Sequence, residues 1–401
     1  MREAEIVIVG GGPAGLTAAL EAATAGAEVV LIDEYPTLGG QYYKQLPNGF
    51  RLTSAKAEGT ELNEGAAAID RLRASKVETL VGVLVWGIFE DRTLALYRSD
   101  ATERLRARQL ILAPGAQEVP VAFPGWTLPG VMMGGAAQGL LVSQRILPGE
   151  RAVMAGAGPL QLKVASQFVE AGAEVAAILE ASSKPPMSME NALRAFGHWG
   201  KMQEGLDYWL KLKKAGVSYH AHQVPVRALG TTQVEAVVVA EVDAEWRVVP
   251  GTERTIDADT LCLSYGFLPA IQLPRLAGCR IQYEADSGGW VTWHDQNQET
   301  SVPGVYVAGE VGGIGGADVA EEEGRLASIA ALRALNKVPL NGLRKEEEKS
   351  RVRLAEARKF AQLTRDMIRL KPALFDLPTD ETIVCRCEEL TLGEVQRQHC
   401  G

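Results

Sequence analysis

The sequence predicts an α/β protein in which a second unit of similar design is inserted into the first. Three observations carry that reading. A G-x-G-x-x-G loop at Gly10, Gly12 and Gly15 lies between an apolar run and a helix-forming stretch. A second G-x-G loop, Gly156 and Gly158, repeats the layout further along the chain. The apolar runs before both loops are continuous rather than alternating, as parallel strands buried on both faces require.

In the first repeat, Ile6–Val9 reads as a buried strand and Gly10 as the turn that follows it. Gly12 lets the backbone approach a pyrophosphate, and Gly15 lets the helix pack closely on the strand. Pro13 and Ala14 open that helix, whose unpaired N–H groups and dipole favour an anion. The next strand, Val29–Ile32, ends at Asp33, whose carboxylate suits ribose hydroxyls; Glu34 is the alternative. Glycines also mark ordinary turns, but strand, loop, helix, strand and acid in this order form a dinucleotide fingerprint.

The second repeat runs from Arg151 to Ser183, with Gly156, Gly158 and Pro159 in the loop and Glu180 closing its second strand. Gln161 stands at the third glycine position. Its long side chain is expected to hold helix and strand apart, leaving the pyrophosphate pocket loose or occluded. Glu180 would repel a 2′-phosphate, which disfavours NADP relative to NAD. Three readings stay open: NAD, another adenine nucleotide such as ATP, or a retained fold with no nucleotide.

Composition narrows the rest. The 401 residues are 46% apolar and 23% charged, with a net charge of −9, an ordinary globular profile without the basic surface that nucleic acid needs. No apolar run is long enough to suggest a membrane span. The first residues enter a strand-like run without a signal-peptide pattern, and five cysteines suit a reducing compartment, so the expected location is cytoplasmic.

Further segments carry a resemblance. Gly39, Gly40 and Gln41 follow the first acid, Leu110–Ala116 reads LILAPGA, and Thr300–Glu310 reads TSVPGVYVAGE. With the glycine loops, these resemble FAD-dependent pyridine-nucleotide oxidoreductases with two dinucleotide-binding domains. The resemblance implies FAD at Gly10, Gly12, Pro13, Ala14, Gly15, Asp33 or Glu34, Gly40, Gln41, Ala113, Gly115, Gly309, Glu310 and Gly316. Two positions depart from the family. Pro114 replaces a threonine and removes a backbone donor. Glu310 replaces an aspartate and keeps the carboxylate on a longer arm. The glycine-rich run into Ala317–Leu335 implies a helix N-terminus facing the flavin.

Other machinery is missing from the sequence. No C-x-x-C pair follows Gly40, so thiol–disulfide exchange has no support. Cys262 in TLCLSYGF reads as a small buried hydrophobe, and Cys279 has no neighbouring cysteine. His220 and His222 alternate as on one face of a strand and read as structural. His198 beside Trp199 precedes an amphipathic helix best explained by packing.

After Asn336 the chain becomes charge-rich and helix-forming, with Phe360, Leu363, Met367 and Leu370 on one expected apolar face and a solvated charged face opposite. The prolines of KPALFDLPTDE then stop the helix and lead in extended form to Cys385-Arg386-Cys387. Thr391 and Glu394 read as a capping box for a short helix leading to Cys400.

The segment TIVCRCEELT behind a flavin domain resembles the bacterioferritin-associated-ferredoxin type of [2Fe–2S] domain, which uses C-x-C and a later C-x-x-x-x-C. That implies Cys385 and Cys387 as cluster ligands, with Cys400 as a third thiolate and the set incomplete. The whole chain resembles the alpha subunits of heteromeric opine, proline and hydroxyproline dehydrogenases and of hydrogen cyanide synthase. The resemblance implies a substrate-oxidising flavoprotein partner and a small ferredoxin-like partner.

The expected organisation is an FAD-binding Rossmann-like domain in two parts, 1–120 and 280–335. A nucleotide-binding insert, 121–279, separates them; a helical linker, 336–380, and the start of an iron–sulfur tail, 381–401, follow. The expected function is electron transfer from flavin toward an iron–sulfur centre or partner. A self-contained NADH:acceptor oxidoreductase and a non-catalytic flavin- and adenine-nucleotide-binding scaffold are the alternatives.

Overall fold

The computed structural model describes residues 2–47, 49–50, 60–182, 199–337, 343–367 and 369–399. Two compact units form: residues 1–117 with 267–362, and residues 118–266 with 363–401.

In the first unit the continuous apolar runs become a seven-stranded sheet. Its order is Glu78–Val81, Val29–Asp33, Arg2–Val9, Ala101–Leu112, Thr93–Arg98 and Leu84–Ile88, with Val305–Val307 also pairing with Ala101–Leu112. The long strand Ala101–Leu112 serves two purposes. Its exposed first half pairs antiparallel with Thr93–Arg98, while its buried second half runs parallel to Arg2–Val9 and to Val305–Val307. Ile6, Ile8, Leu31 and Ile111 face one core, and Val7, Val9, Val30 and Leu110 face another, so the central strands are apolar on both sides.

Helices Pro13–Thr24 and Ala317–Ala334 pack closely beside that sheet. A side chain at Gly324 would place its Cβ 2.2 Å from the Ala14 carbonyl, which explains why a glycine interrupts a good helix former.

The second unit has five parallel strands in the order Tyr219–Ala221, Glu174–Glu180, Arg151–Gly156, Thr260–Ser264 and Val131–Met133, and an antiparallel three-stranded sheet, Gln223–Leu229, Ala236–Glu241 and Arg254–Asp257. Cys262 is buried in the interior strand Thr260–Ser264, as a small hydrophobe would be.

The region expected to be a separate linker differs in four ways. Helix Arg344–Met367 ends before Leu370, so the expected apolar stripe does not continue along one helix; Leu370 instead packs on the second unit's core. The helix buries Leu354 and Ala361, with Ala357 beside them, against Val319 and Leu326 of Ala317–Ala334. Small residues allow that approach. Its charges are not simply solvated either: Arg353 pairs with Glu322, Arg358 with Glu323, and Glu347 with Arg333 and Arg351. The following segment is not purely extended, because Pro372–Asp376 forms a 3-10 turn that buries Leu374.

His220 and His222 do not share a strand face. The strand ends at Ala221, and His222 takes a left-handed φ of 57°. His198 and Cys400 lie outside the described residues. Among the described residues, no helix is long and apolar enough to cross a membrane.

Candidate functional site

The first glycine loop gathers segments that are far apart in sequence. Gly10 turns at φ +107°, and a Cβ there would sit 2.1 Å from the Ala113 carbonyl. A Cβ at Gly15 would lie 1.8 Å from the Gly10 carbonyl, so helix and strand touch as the spacing implied. Gly39 donates its N–H to the Gly11 carbonyl at 2.9 Å, which brings the Gly39–Gly40 segment to the loop. Gly309 closes the group, since a Cβ there would be 3.2 Å from the Ala14 Cβ.

Gly12 is different. Its φ of −78° and ψ of −170° suit any residue, and a Cβ there would meet nothing closer than the Gly40 Cα at 3.8 Å. Protein packing therefore gives no reason for glycine at this position. The space it leaves, at the start of helix Pro13–Thr24, is a cradle suited to a pyrophosphate.

Asp33 is buried at the end of its strand and accepts from Gly11 N at 2.6 Å and Tyr35 N at 2.8 Å; burial raises its pKa against the lowering effect of those two bonds. Glu34 is exposed. The Gln41 carbonyl and side-chain oxygens accept from the buried Lys44 ammonium, each at 2.8 Å. Gly115 adopts φ +77° with open space around it. The Glu310 carboxylate accepts from Gly316 N at 2.6 Å and braces the glycine turn before helix Ala317–Ala334.

That helix contributes residues that the glycine and acid motifs do not mark. Glu323 is 5% exposed; one oxygen accepts from Gly309 N at 3.0 Å and the other from Arg358 at 2.9 Å. Glu321 accepts from the Tyr43 hydroxyl at 2.5 Å, close to Gly39–Gly40. A signal was present: Glu323 falls in the small-residue stripe Ala320, Gly324, Ala327 at helical spacing, where an acid must have a partner.

Glu323→Ala is expected to cost about 2 kcal/mol, because it leaves the Gly309 N–H unpaired. Glu323→Gln keeps an acceptor and loses only a half-exposed ion pair, about 1 kcal/mol or less. Denaturant unfolding and FAD titration of the two variants check the difference.

The second loop follows another path. Here Gly158, the second glycine, carries the left-handed φ of +92°, whereas in the first loop Gly10 does. Helix Leu160–Glu170 begins after Pro159, one residue later relative to its loop than Pro13–Thr24 does. Gln161 turns inward. Its side chain is 1% exposed and donates to Glu180 Oε2 at 2.7 Å. Glu180 is fully buried and also accepts from Gly158 N at 3.2 Å, Ser182 N at 3.1 Å, Ser182 Oγ at 2.8 Å and Tyr219 OH at 3.4 Å.

Burial pushes the Glu180 pKa up from 4.5 to about 7, with the Ser182, Gly158 and Gln161 bonds opposing the rise. Between those pH values the folded chain keeps a proton that the unfolded chain has released. The Glu180 contribution to stability is therefore fully present below about pH 4.5 and is lost as pH rises to about 7, by on the order of 3 kcal/mol. Unfolding midpoints from pH 5 to 8 should fall for the parent and stay flatter for Glu180→Gln; parallel curves would refute this.

In the tail, Cys385 ends the strand Ile383–Cys385 and Cys387 lies in the turn before Leu390–Thr391. Cys385 is half-buried and Cys387 exposed. The hairpin is pinned within its unit by Trp126 Nε1, which donates to the Ile383 carbonyl at 2.6 Å, and by Arg386 stacked over the Trp126 ring. The capping box forms as expected: Thr391 N donates to Glu394 Oε2 at 2.8 Å, Glu394 N to Thr391 Oγ1 at 3.3 Å, and helix Leu392–His399 follows. Among the described residues, no three His, Cys, Asp or Glu side chains gather as a metal site.

Comparison with known proteins settles the family. A profile described as pyridine nucleotide-disulphide oxidoreductase matches residues 4–324. The chain belongs to the pyridine nucleotide-disulphide oxidoreductases. This family member is 33% identical over 403 residues to an opine oxidase subunit of Rhizobium meliloti, covering 98% of the chain and 84% of that protein. It is 31% identical over 392 residues to the HcnB subunit of hydrogen cyanide synthase from Pseudomonas aeruginosa, again covering 98% and 84%.

Two solved structures share the fold. L-proline dehydrogenase from P. horikoshii aligns with a TM-score of 0.61 and 20% identity over 88% of this chain, which spans only 59% of that one. T. acidophilum thioredoxin reductase aligns with a TM-score of 0.62 and 20% identity over 84% of this chain and 100% of its own. This oxidoreductase is FAD-dependent and related to HcnB and to the opine oxidase protein.

Proposed function

We propose that this oxidoreductase is the electron-transfer flavoprotein subunit of a heteromeric dehydrogenase acting on an amino acid, imino acid or opine. A partner flavoprotein oxidises the substrate, and this chain relays the electrons to a thiolate-bound iron–sulfur centre or to a partner carrying one. The observation that carries the proposal is the alignment over 98% of the chain with relatives named as subunits of an opine oxidase and of hydrogen cyanide synthase.

The cysteine pattern supports the same reading. Cys262 and Cys279 are both buried, and Cys279 Sγ donates to Thr300 Oγ1 at 3.3 Å. Burial raises both thiols' pKa, which disfavours the thiolate. Among the described residues, Cys385 and Cys387 are the accessible pair, held on a pinned hairpin.

The residues that would hold FAD are Gly12 and the N-terminus of Pro13–Thr24 for the pyrophosphate, Asp33 for the adenosine ribose, and Gly39–Gly40 and Gly309–Gly316 for the remainder. Bound FAD supplies interconversion of two-electron and one-electron chemistry. Glu323 and Glu310 keep the late glycine turn in place.

Anaerobic spectroscopy tests the proposal. The visible absorbance band of the bound flavin should bleach with an opine or amino-acid substrate only after the partner flavoprotein is added. Bleaching by the substrate with this chain alone, or no bleaching with the partner present, counts against it.

A further inference from the structure

We infer that Gln161 closes the second unit to NAD(H): its amide clasps Glu180, the acid that would otherwise receive the adenosine ribose. The first glycine loop of the same chain is the internal comparison. There the position corresponding to Gln161 is Gly15, and Asp33 takes one backbone N–H on each oxygen. Glu180 takes five donors, from Gly158 N, Gln161 Nε2, Ser182 N, Ser182 Oγ and Tyr219 OH.

A ribose diol must be accepted by that carboxylate as a pair of donors. At Glu180 it would have to displace protein donors that are already buried and bonded to the carboxylate. Asp33 retains some exposure, 7%, whereas Glu180 has none.

The phosphate end is altered independently. Gly156, Ala157 and Gly158 are all buried, while Gly10 and Gly12 are half-exposed. The left-handed turn has moved from the first glycine to the second, and the helix begins one residue later relative to its loop. Two changes at opposite ends of the expected ligand thus point the same way, and the carboxyl's upward-shifted pKa agrees with a group sealed from solvent.

Gln161 Oε1 is buried without a hydrogen-bond partner. A side chain chosen only to fill space would not need an amide with one orphaned atom; what the amide contributes is its bond to Glu180. Removing it should therefore free the acid without opening a hole that another polar group depends on.

The test uses the full-length, FAD-loaded chain titrated with NAD and with NADH, followed by calorimetry and nicotinamide fluorescence. The parent should show no saturable binding below about 1 mM, equivalent to about −4 kcal/mol. Gln161→Gly and Gln161→Ala should each gain at least about tenfold in affinity, with flavin content and thermal unfolding recorded to confirm that both fold. ADP, which carries the same ribose, serves as a second probe.

Saturable NAD(H) or ADP binding by the parent below about 1 mM, lost in Glu180→Gln, would overturn the inference. So would folded Gln161 variants that bind no better than the parent. These readouts are separate from the relay proposal. NADH binding without flavin bleaching would sink the closure and leave the relay standing; failure of partner-dependent bleaching would do the reverse.

Discussion

Gly12→Ala is expected to strip the chain of FAD while leaving it folded. The backbone at Gly12 is in a region open to alanine, and the added methyl would find the Gly40 Cα at 3.8 Å, an ordinary contact. What the methyl would occupy is the cradle before helix Pro13–Thr24. The loss should be at least about a hundredfold in FAD affinity, near 2.7 kcal/mol. Gly15→Ala supplies the contrast: its Cβ would stand 1.8 Å from the Gly10 carbonyl, so helix and strand must separate. That variant should lose several kcal/mol of stability, on the order of 3 or more. Flavin fluorescence titration and thermal unfolding of the apo chains separate the two outcomes. A Gly12→Ala protein that binds FAD as the parent does would remove the pyrophosphate from this loop.

The second large effect is expected in the tail. On the relay proposed above, and with the partner subunits assembled, replacing both Cys385 and Cys387 by serine should slow electron delivery to an external one-electron acceptor by about a hundredfold or more, because serine does not replace thiolate as an iron ligand. Flavin reduction through the partner flavoprotein should keep its parental rate. The hairpin should survive, since Trp126 holds it through the Ile383 carbonyl rather than through either sulfur. Rapid-mixing absorbance of the flavin, with acceptor reduction followed in parallel, reads both steps. Equal rates in parent and variant would show that electrons leave by another route.

Much of the first unit was legible in the sequence because its signals are local. The strand at Ile6–Val9, the glycine spacing and the acid at Asp33 lie within one short stretch, and each follows from backbone geometry that nearby residues impose. The capping box at Thr391 and Glu394 is local in the same sense. Glu323 was harder to see because its partners, Gly309 and Arg358, are distant in sequence and are brought together by packing of Ala317–Ala334. The helix Arg344–Met367 was misread for a related reason. Its charge-rich pattern looked solvated, yet Arg353 and Arg358 meet acids on a neighbouring helix.

Gln161 shows the boundary most clearly. By itself the sequence determined that a glycine was missing, that Glu180 would end the neighbouring strand, and that the second loop departed from the first. It suggested a side chain wedged between helix and strand. Only the tertiary structure decided where the amide went: it turns into the interior and binds the acid. The physical reason is that a periodic pattern fixes which backbone positions come close, while a long polar side chain chooses among partners that folding alone assembles. Buried away from water, Gln161 Nε2 had to find an acceptor, and Glu180 was the one within reach.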